Sequence, residues 1–363
     1  MRTTTSDAGF SLLELMAATA LGLLVIGTAM TTFKDAMGMT NVATNLADAS
    51  QNLRGGMNLL VRDLTEAGRG IPIGGIPIPS GAAAGPINRP SPPGLAYTFD
   101  NVNATTLTAI TTGHDKGPAV DHLGRVPTDM ITMLTVDPVL DSALNGALQV
   151  QPSGAAGNVP KLAADGSAFT LTANEATWIT GDPQNGRPAI NKGDLLMFMD
   201  VNSNAAIQTV TRVQDSTVFF DSNGDDPFSF NQRNVTAGSI TQILGQTLSV
   251  QRVTMYTYYV DPGNGAPRLM RQYNNSTPQA LAGVVEDLAL SFDLVDGSVN
   301  PTAVVDLPFT LGAVMYSANQ IRKANVHIGV RSETMSMRVH DYLRSHMSTV
   351  VSVRNLAYVD RYK

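Results

Sequence analysis

The chain of 363 residues has no cysteine, which excludes disulfides, zinc–thiolate sites, iron–sulfur clusters and thiol nucleophiles together. It leaves the compartment open, because an oxidising space permits disulfides without requiring them. Charge is scarce as well: Asp, Glu, Lys and Arg make up 15% of the residues, with a balance of −6. Soluble domains usually carry about 25%. A nucleic-acid surface needs clustered Lys and Arg, so no nucleic-acid partner is expected. Aromatics amount to 6%, and 32 glycines and 20 prolines are near ordinary usage, which excludes collagen-like sequence and wholesale disorder. Motifs that carry chemistry are missing too. His114, His122, His327, His340 and His346 are scattered, none of them in HExxH spacing. There is no GxSxG elbow and no phosphate-binding GxxxxGK[ST], so no enzyme is expected.

What the chain does have is a long apolar run. Hydrophobic residues are 43% of the whole, enough for one large domain or two ordinary ones. No ionisable side chain occurs in the nineteen residues from Leu15 to Phe33. As a helix they span about 28 Å, close to the hydrocarbon thickness of a bilayer. A cleaved secretory signal has a shorter apolar stretch ending at small residues, whereas Ala18-Thr19-Ala20 lies in the middle of this one. A membrane-spanning helix is therefore expected. Glu14 sits just inside the run, where an ionised carboxylate costs several kcal/mol unless it has a partner.

The string Gly9-Phe10-Ser11-Leu12-Leu13-Glu14 resembles the processing motif of type IV prepilins and pseudopilins. The resemblance implies a polar leader, residues 1–9, which a prepilin peptidase removes after Gly9 before methylating Phe10. It also implies that the apolar helix then packs into a filament. Glu14 would be the assembly carboxylate, neutralising the new Phe10 ammonium in its own chain or in a neighbour. Such a pair would set the axial register of adjacent helices.

Beyond the span, Val42, Leu46, Ala49, Leu53, Met57, Leu60, Leu64 and Ala67 recur at steps of three and four, one stripe of an amphipathic helix. No proline interrupts Met1 to Ile71, and Gly68, Gly70 and Pro72 are stop signals. A stalk helix over residues 10–67 follows, half in lipid and half on a head. Many pilins carry a helix-interrupting proline near this segment; here only Gly22, Gly27, Gly38 and Gly55-Gly56 soften the helix.

Residues 71–94 read as a proline- and glycine-rich connector without period. Residues 95–245 read as a mainly β insertion, with short strands over Asp194–Val201, Ala206–Val213 and Ser216–Asp221. Residues 246–363 read as a C-terminal sheet. Its strands are Leu248–Val260, Arg268–Tyr273, Leu288–Leu294 after a helical turn from Leu281, Ala324–Val330 and Met347–Leu356. The expected class is α+β, the stalk helix packed on an antiparallel sheet head. Tyr258-Tyr259-Val260-Asp261, Pro267-Arg268-Leu269-Met270-Arg271, Val284-Val285-Glu286-Asp287-Leu288 and Val353-Arg354-Asn355-Leu356 look like the large PilW-type minor pilins. That resemblance implies an inner-membrane protein with a periplasmic head that primes or caps a type IV pilus. Its partners would be the prepilin peptidase, other minor and major pilins and the inner-membrane assembly platform. A J-kind minor pseudopilin of a type II secretion system, and a membrane-anchored adhesin or binding module, remain alternatives.

No cofactor is required by the sequence, with calcium as the one candidate. Asp221, Asn223 and Asp225 alternate as in D-x-[DN]-x-[DN] calcium loops. Asp226 replaces the expected glycine, however, and no bidentate glutamate follows, so a polar hairpin turn is the competing reading. Asp200, Asn202 and Asn204 repeat the alternation.

Overall fold

The computed structural model describes residues 11–121, 124–137, 148–173, 177–181, 189–263, 265–335 and 340–356. It consists of one long helix, α1 (Leu12–Glu66), followed by mainly antiparallel β-structure. The helix starts where the sequence supplies a capping box: Ser11 Oγ accepts from the Glu14 backbone N–H, and Glu14 accepts in return from the Ser11 N–H. At 55 residues it is about 82 Å long. It stops at Ala67, after which Gly68 and Gly70 adopt φ of 82° and 72°. A Cβ on Gly70 would also lie 2.7 Å from Val136 Cβ, so the chain turns there against the sheet with no room for a side chain.

The strand Leu248–Asp261 organises the head. Its first half pairs with Leu195–Met199 on one side and Leu148–Pro152 on the other, its second half with Ile131–Val136 and Arg268–Tyr273. These belong to a twelve-stranded sheet, one pair of which, Leu148–Pro152 with Lys161–Leu162, is parallel. A separate three-stranded antiparallel sheet comprises Val285–Leu294, Ile321–Arg331 and Arg344–Ser352. The buried stripe of α1 lies on Gln279–Gly283 of the large sheet and on the last two strands of the small one. Leu53, Met57, Leu60 and Leu64 are buried there with Leu269, Val326, Ile328 and Val351.

The structure departs from the expected layout in four places. Residues 71–94 are not a bare connector. Ile76–Pro77 pairs with Thr106–Leu107, Ile87–Arg89 pairs with Tyr97–Phe99, and Ile76, Ile78 and Ile87 are fully buried. The isoleucines alternate with prolines, which cannot donate to a ladder, so the strand period is hidden in a sequence that reads as coil. Position 245 is no boundary between sheets, since strands from 131–209 and from 248–283 share one. The expected helical turn at Leu281 is instead the end of one strand and the start of the next. A register shift between Val285 and Asp287 gives the apolar residues a helix-like spacing. The last strand is Arg344–Ser352, ending four residues before Leu356.

Ile131–Val136 is buried at every position and so carries no alternation that would mark it as a strand in the sequence. Ile131 and Met133 face the helix side, while Leu134 and Val136 face a second cluster around Phe228 and Phe230. A third cluster gathers Phe169, Phe198, Phe220 and Trp178.

Candidate functional site

The helix itself is the most distinctive site, and it divides into zones. From Leu12 to Phe33 its side chains are exposed, and this segment is apolar enough to cross a membrane. Its threonines are satisfied internally. Thr19 Oγ1 donates to the Leu15 and Met16 carbonyls, Thr28 to Val25, Thr31 to Gly27 and Thr28, and Thr32 to Thr28. Such back-bonding removes the penalty of carrying hydroxyls into hydrocarbon.

Glu14 is the one acid in this zone, and its Oε2 accepts from the Ser11 N–H at 3.1 Å. The carboxylate therefore already sits one peptide unit from position 10. Gly9 and Phe10, the expected processing residues, lie outside the described residues.

Between Lys34 and Asp48 the helix touches little. Val42 is half-buried and Leu46 is 40% exposed, so the apolar stripe overshoots the head that covers it from Ala49 onward.

The packed zone is clamped by charge as well as by apolar contact. Asp63 is 3% exposed. Its Oδ2 accepts from Tyr258 Oη at 2.7 Å and from Arg271 Nε at 2.7 Å, and its Oδ1 lies 3.3 Å from Arg62. Arg271 stacks over the Tyr256 ring at 3.8 Å. Burial, and then the neighbouring Asp63 carboxylate, push the Tyr258 hydroxyl far above the ordinary tyrosine range. Burial is the largest single influence on Arg271 and opposes its charge, but the Asp63 hydrogen bond and charge, with Tyr258 and Tyr256, together outweigh it and raise the guanidinium further. At the end of α1, Asn355 Nδ2 donates to the Thr65, Glu66 and Ala67 carbonyls, capping the last turn from 288 to 290 residues away. Glu286, also buried, lies 3.2 Å from Arg331 Nε and 2.8 Å from Arg344 Nε, tying the outer strands of the small sheet to the middle one. Tyr258, Arg271, Glu286 and Asn355 all lie in the strings that carry the PilW-type resemblance. Burial of Asp63 is not legible in the sequence, because it stands among polar positions flanking the stripe.

The acidic loop folds as a turn with its groups engaged. Asp221 Oδ2 accepts from Thr211 Oγ1 at 3.1 Å, Asn223 Oδ1 from the Asp225 N–H at 3.2 Å, and Asp225 Oδ1 pairs with Lys192 Nζ at 2.9 Å. Asp200 likewise takes the Asn202 and Asn204 N–H groups, closing the hairpin between Leu195–Met199 and Ala205–Thr209. Among the described residues, His114, Asp115 and Asp129 bring three ligand atoms within 4.8 Å of one another, a grouping the scattered sequence positions did not suggest. Asp129 is fully committed to structure. Its Oδ1 is 2.9 Å from His114 Nδ1 and accepts from the Asp115 N–H, while its Oδ2 accepts from the Leu290 N–H at 2.6 Å.

No family model, no curated protein and no solved structure matches the chain.

Proposed function

We propose that the protein is a processed, membrane-held filament subunit: a minor pilin that primes or caps a type IV pilus, with its head on the periplasmic side. The observation that carries this reading is the division of α1. One continuous helix presents an uncovered apolar half, headed by a lone acid, and a second half fixed to a β-rich body. A helix that only anchored the head would need no acid at that depth, where a carboxylate costs several kcal/mol. A helix that slides from lipid into a bundle of like helices gains from one, since the carboxylate meets an ammonium in place of water. The Ser11–Glu14 box holds that carboxylate on the Ser11 N–H, one residue along the chain from the amino terminus that cleavage after Gly9 would create. Size supports a place at the filament end, where a large head crowds no neighbour. The pseudopilin of a secretion system shares every one of these features and remains the second reading.

N-terminal mass spectrometry of the protein from its native membrane tests the proposal. The expected chain begins at N-methylated Phe10; a start at Met1, or beyond Phe33, overturns it. Glu14→Ala is expected to leave cleavage intact, leave the melting of the head unchanged and reduce incorporation into filaments. Undiminished incorporation would remove the carboxylate from the assembly contact.

A further inference from the structure

Two clefts of mixed lining share the loop Ser222–Asp226 as a wall. The larger, about 370 Å³, opens where Gly224 and Asp225 face Lys192, Tyr273, Asn275 and Ser276. The smaller, about 260 Å³, is lined by Ser222, Asn223, Asn88 and Gln232 from the other segments that meet this loop.

The frame of the larger cleft is rigid. Asn274 has a φ of 44°, a left-handed conformation uncommon outside glycine. It is held there by the Met255 N–H donating to its Oδ1 at 2.9 Å and by its own N–H donating to the Met255 carbonyl at 2.8 Å. Its side-chain amide also reaches the Gly193 carbonyl at 3.4 Å, which ties the turn to the opposite wall. Backbone strain sustained in this way recurs at ligand clamps.

Charge in the clefts is compensated or shielded. Lys192 is paired with Asp225, and Asp194 takes the Asn191 N–H and lies 3.5 Å from Arg252 Nε. Asp226, in the smaller cleft, is buried and accepts from the Phe228 and Asn231 N–H groups. Among the described residues, no unpaired cation lines either cleft to receive a phosphate or sulfate, and Asp226 repels one. What remains available is neutral. The Asn275 amide and the Ser276 and Ser222 hydroxyls make no hydrogen bond with any described residue, and Asn223 keeps its amide N–H₂ free. An amide offers donors and an acceptor side by side, the match for adjacent hydroxyls on one ring. Tyr273, half-buried, adds a single aromatic surface, and Pro227 is the other apolar side chain of the larger cleft. Apolar side chains are few and neutral hydrogen-bonding groups many, with C–H surface spread between them, which disfavours a lipid chain. They suit a ring with hydroxyls on its rim and C–H groups on its face.

We infer that the paired clefts bind a neutral oligosaccharide, one sugar seated beside Asn275 and Ser276 and the chain crossing the loop toward Ser222 and Asn223. The inference is independent of filament assembly, because it concerns the head alone. The test is saturation-transfer NMR and titration calorimetry on the full chain in a non-glycosidic detergent. The probes are neutral tetrasaccharides of glucose, galactose and N-acetylglucosamine, with a heparin tetrasaccharide as the polyanion. At least one neutral tetrasaccharide is expected to bind. Asn275→Ala with Ser276→Ala is expected to weaken it about tenfold or more without changing the melting temperature, the loss of one or two well-made hydrogen bonds. Asn223→Ala is expected to weaken the tetrasaccharide more than the corresponding disaccharide. Absence of neutral-sugar binding at about 10 mM ligand, a range that captures even very weak sites, overturns the assignment. So does affinity that survives the Asn275 and Ser276 substitutions, or heparin binding as tightly as the neutral chains.

Discussion

Leu12 and Leu23 are 78% and 71% exposed, whereas Leu53, Leu60 and Leu64 on the same helix are at 1% or less. Backbone geometry is common to both regions; only the surroundings differ. The comparison separates two roles that one amphipathic period can hide. In the second half, apolar residues fall on a stripe because only one face meets the head. In the first half they occur all round, which within a single chain has no packing solution and calls for lipid or for neighbouring helices on every side. Glu14 and the self-bonded threonines are the polar exceptions, and each is satisfied within a turn of itself.

Substitutions break the comparison cleanly. The largest expected effect comes from placing two charges in the uncovered half. Leu23→Arg with Ile26→Arg costs about 5–7 kcal/mol of membrane insertion. Fractionation should find the chain leaving the membrane while the head melts as before. A fall in head melting would mean that the first half has a partner in the head after all. Next comes the buried charge. Asp63→Ala strands Arg271 and Tyr258 and is expected to cost about 3–5 kcal/mol in chemical denaturation. Asp63→Leu with Arg271→Met, which removes both charges, should recover much of that loss. The stripe itself is probed by two leucines fourteen residues apart. Leu60→Ala is expected to cost about 2–5 kcal/mol, and Leu46→Ala, beyond the rim of the head, within about 0.5 kcal/mol. Equal losses would place the rim nearer the membrane.

The smallest effect is alkaline. Tyr259 is pushed up to about 12 by burial and then by Asp261, and Tyr258 is raised beyond it. The unfolded chain gives up these protons near pH 10, where the folded chain keeps them, so stability falls as pH rises from about 10 toward 12. Melting temperatures over that range should show a shallower decline in Tyr259→Phe.

The sequence made the helix legible from both ends. The apolar run from Leu15, the absence of proline and the glycines after Ala67 mark its extent to within a few residues, and the stripe names its buried face; the Ser11–Glu14 box that starts it became visible only in the structure. Strands with alternation, such as Ala324–Val330 within Ile321–Arg331, were equally readable. What escaped was structure whose pattern is erased by burial or by proline: Ile131–Val136, covered on both faces, and the isoleucines of 76–87, separated by residues that break a ladder. Contacts made at a distance escaped altogether. Nothing local announces that Asp63 answers Arg271, or that Asn274 takes a left-handed backbone to bridge Met255 and Gly193.

The amide of Asn355 seals a helix that ends at Glu66, and the strand Arg344–Ser352 covers the same helix. During synthesis these groups emerge long after the helix they cover, Asn355 being 288 residues beyond Ala67. The half of the helix from Ala49 onward waits bare until the segment from Arg344 to Asn355 has been made. Closing so long a loop is slow, and exposed apolar surface in the interval invites wrong partners. Maturation of this protein is thus a matter of timing, and a chaperone that shields residues 49–64 until Asn355 has been made would raise its yield more than any improvement to the finished core.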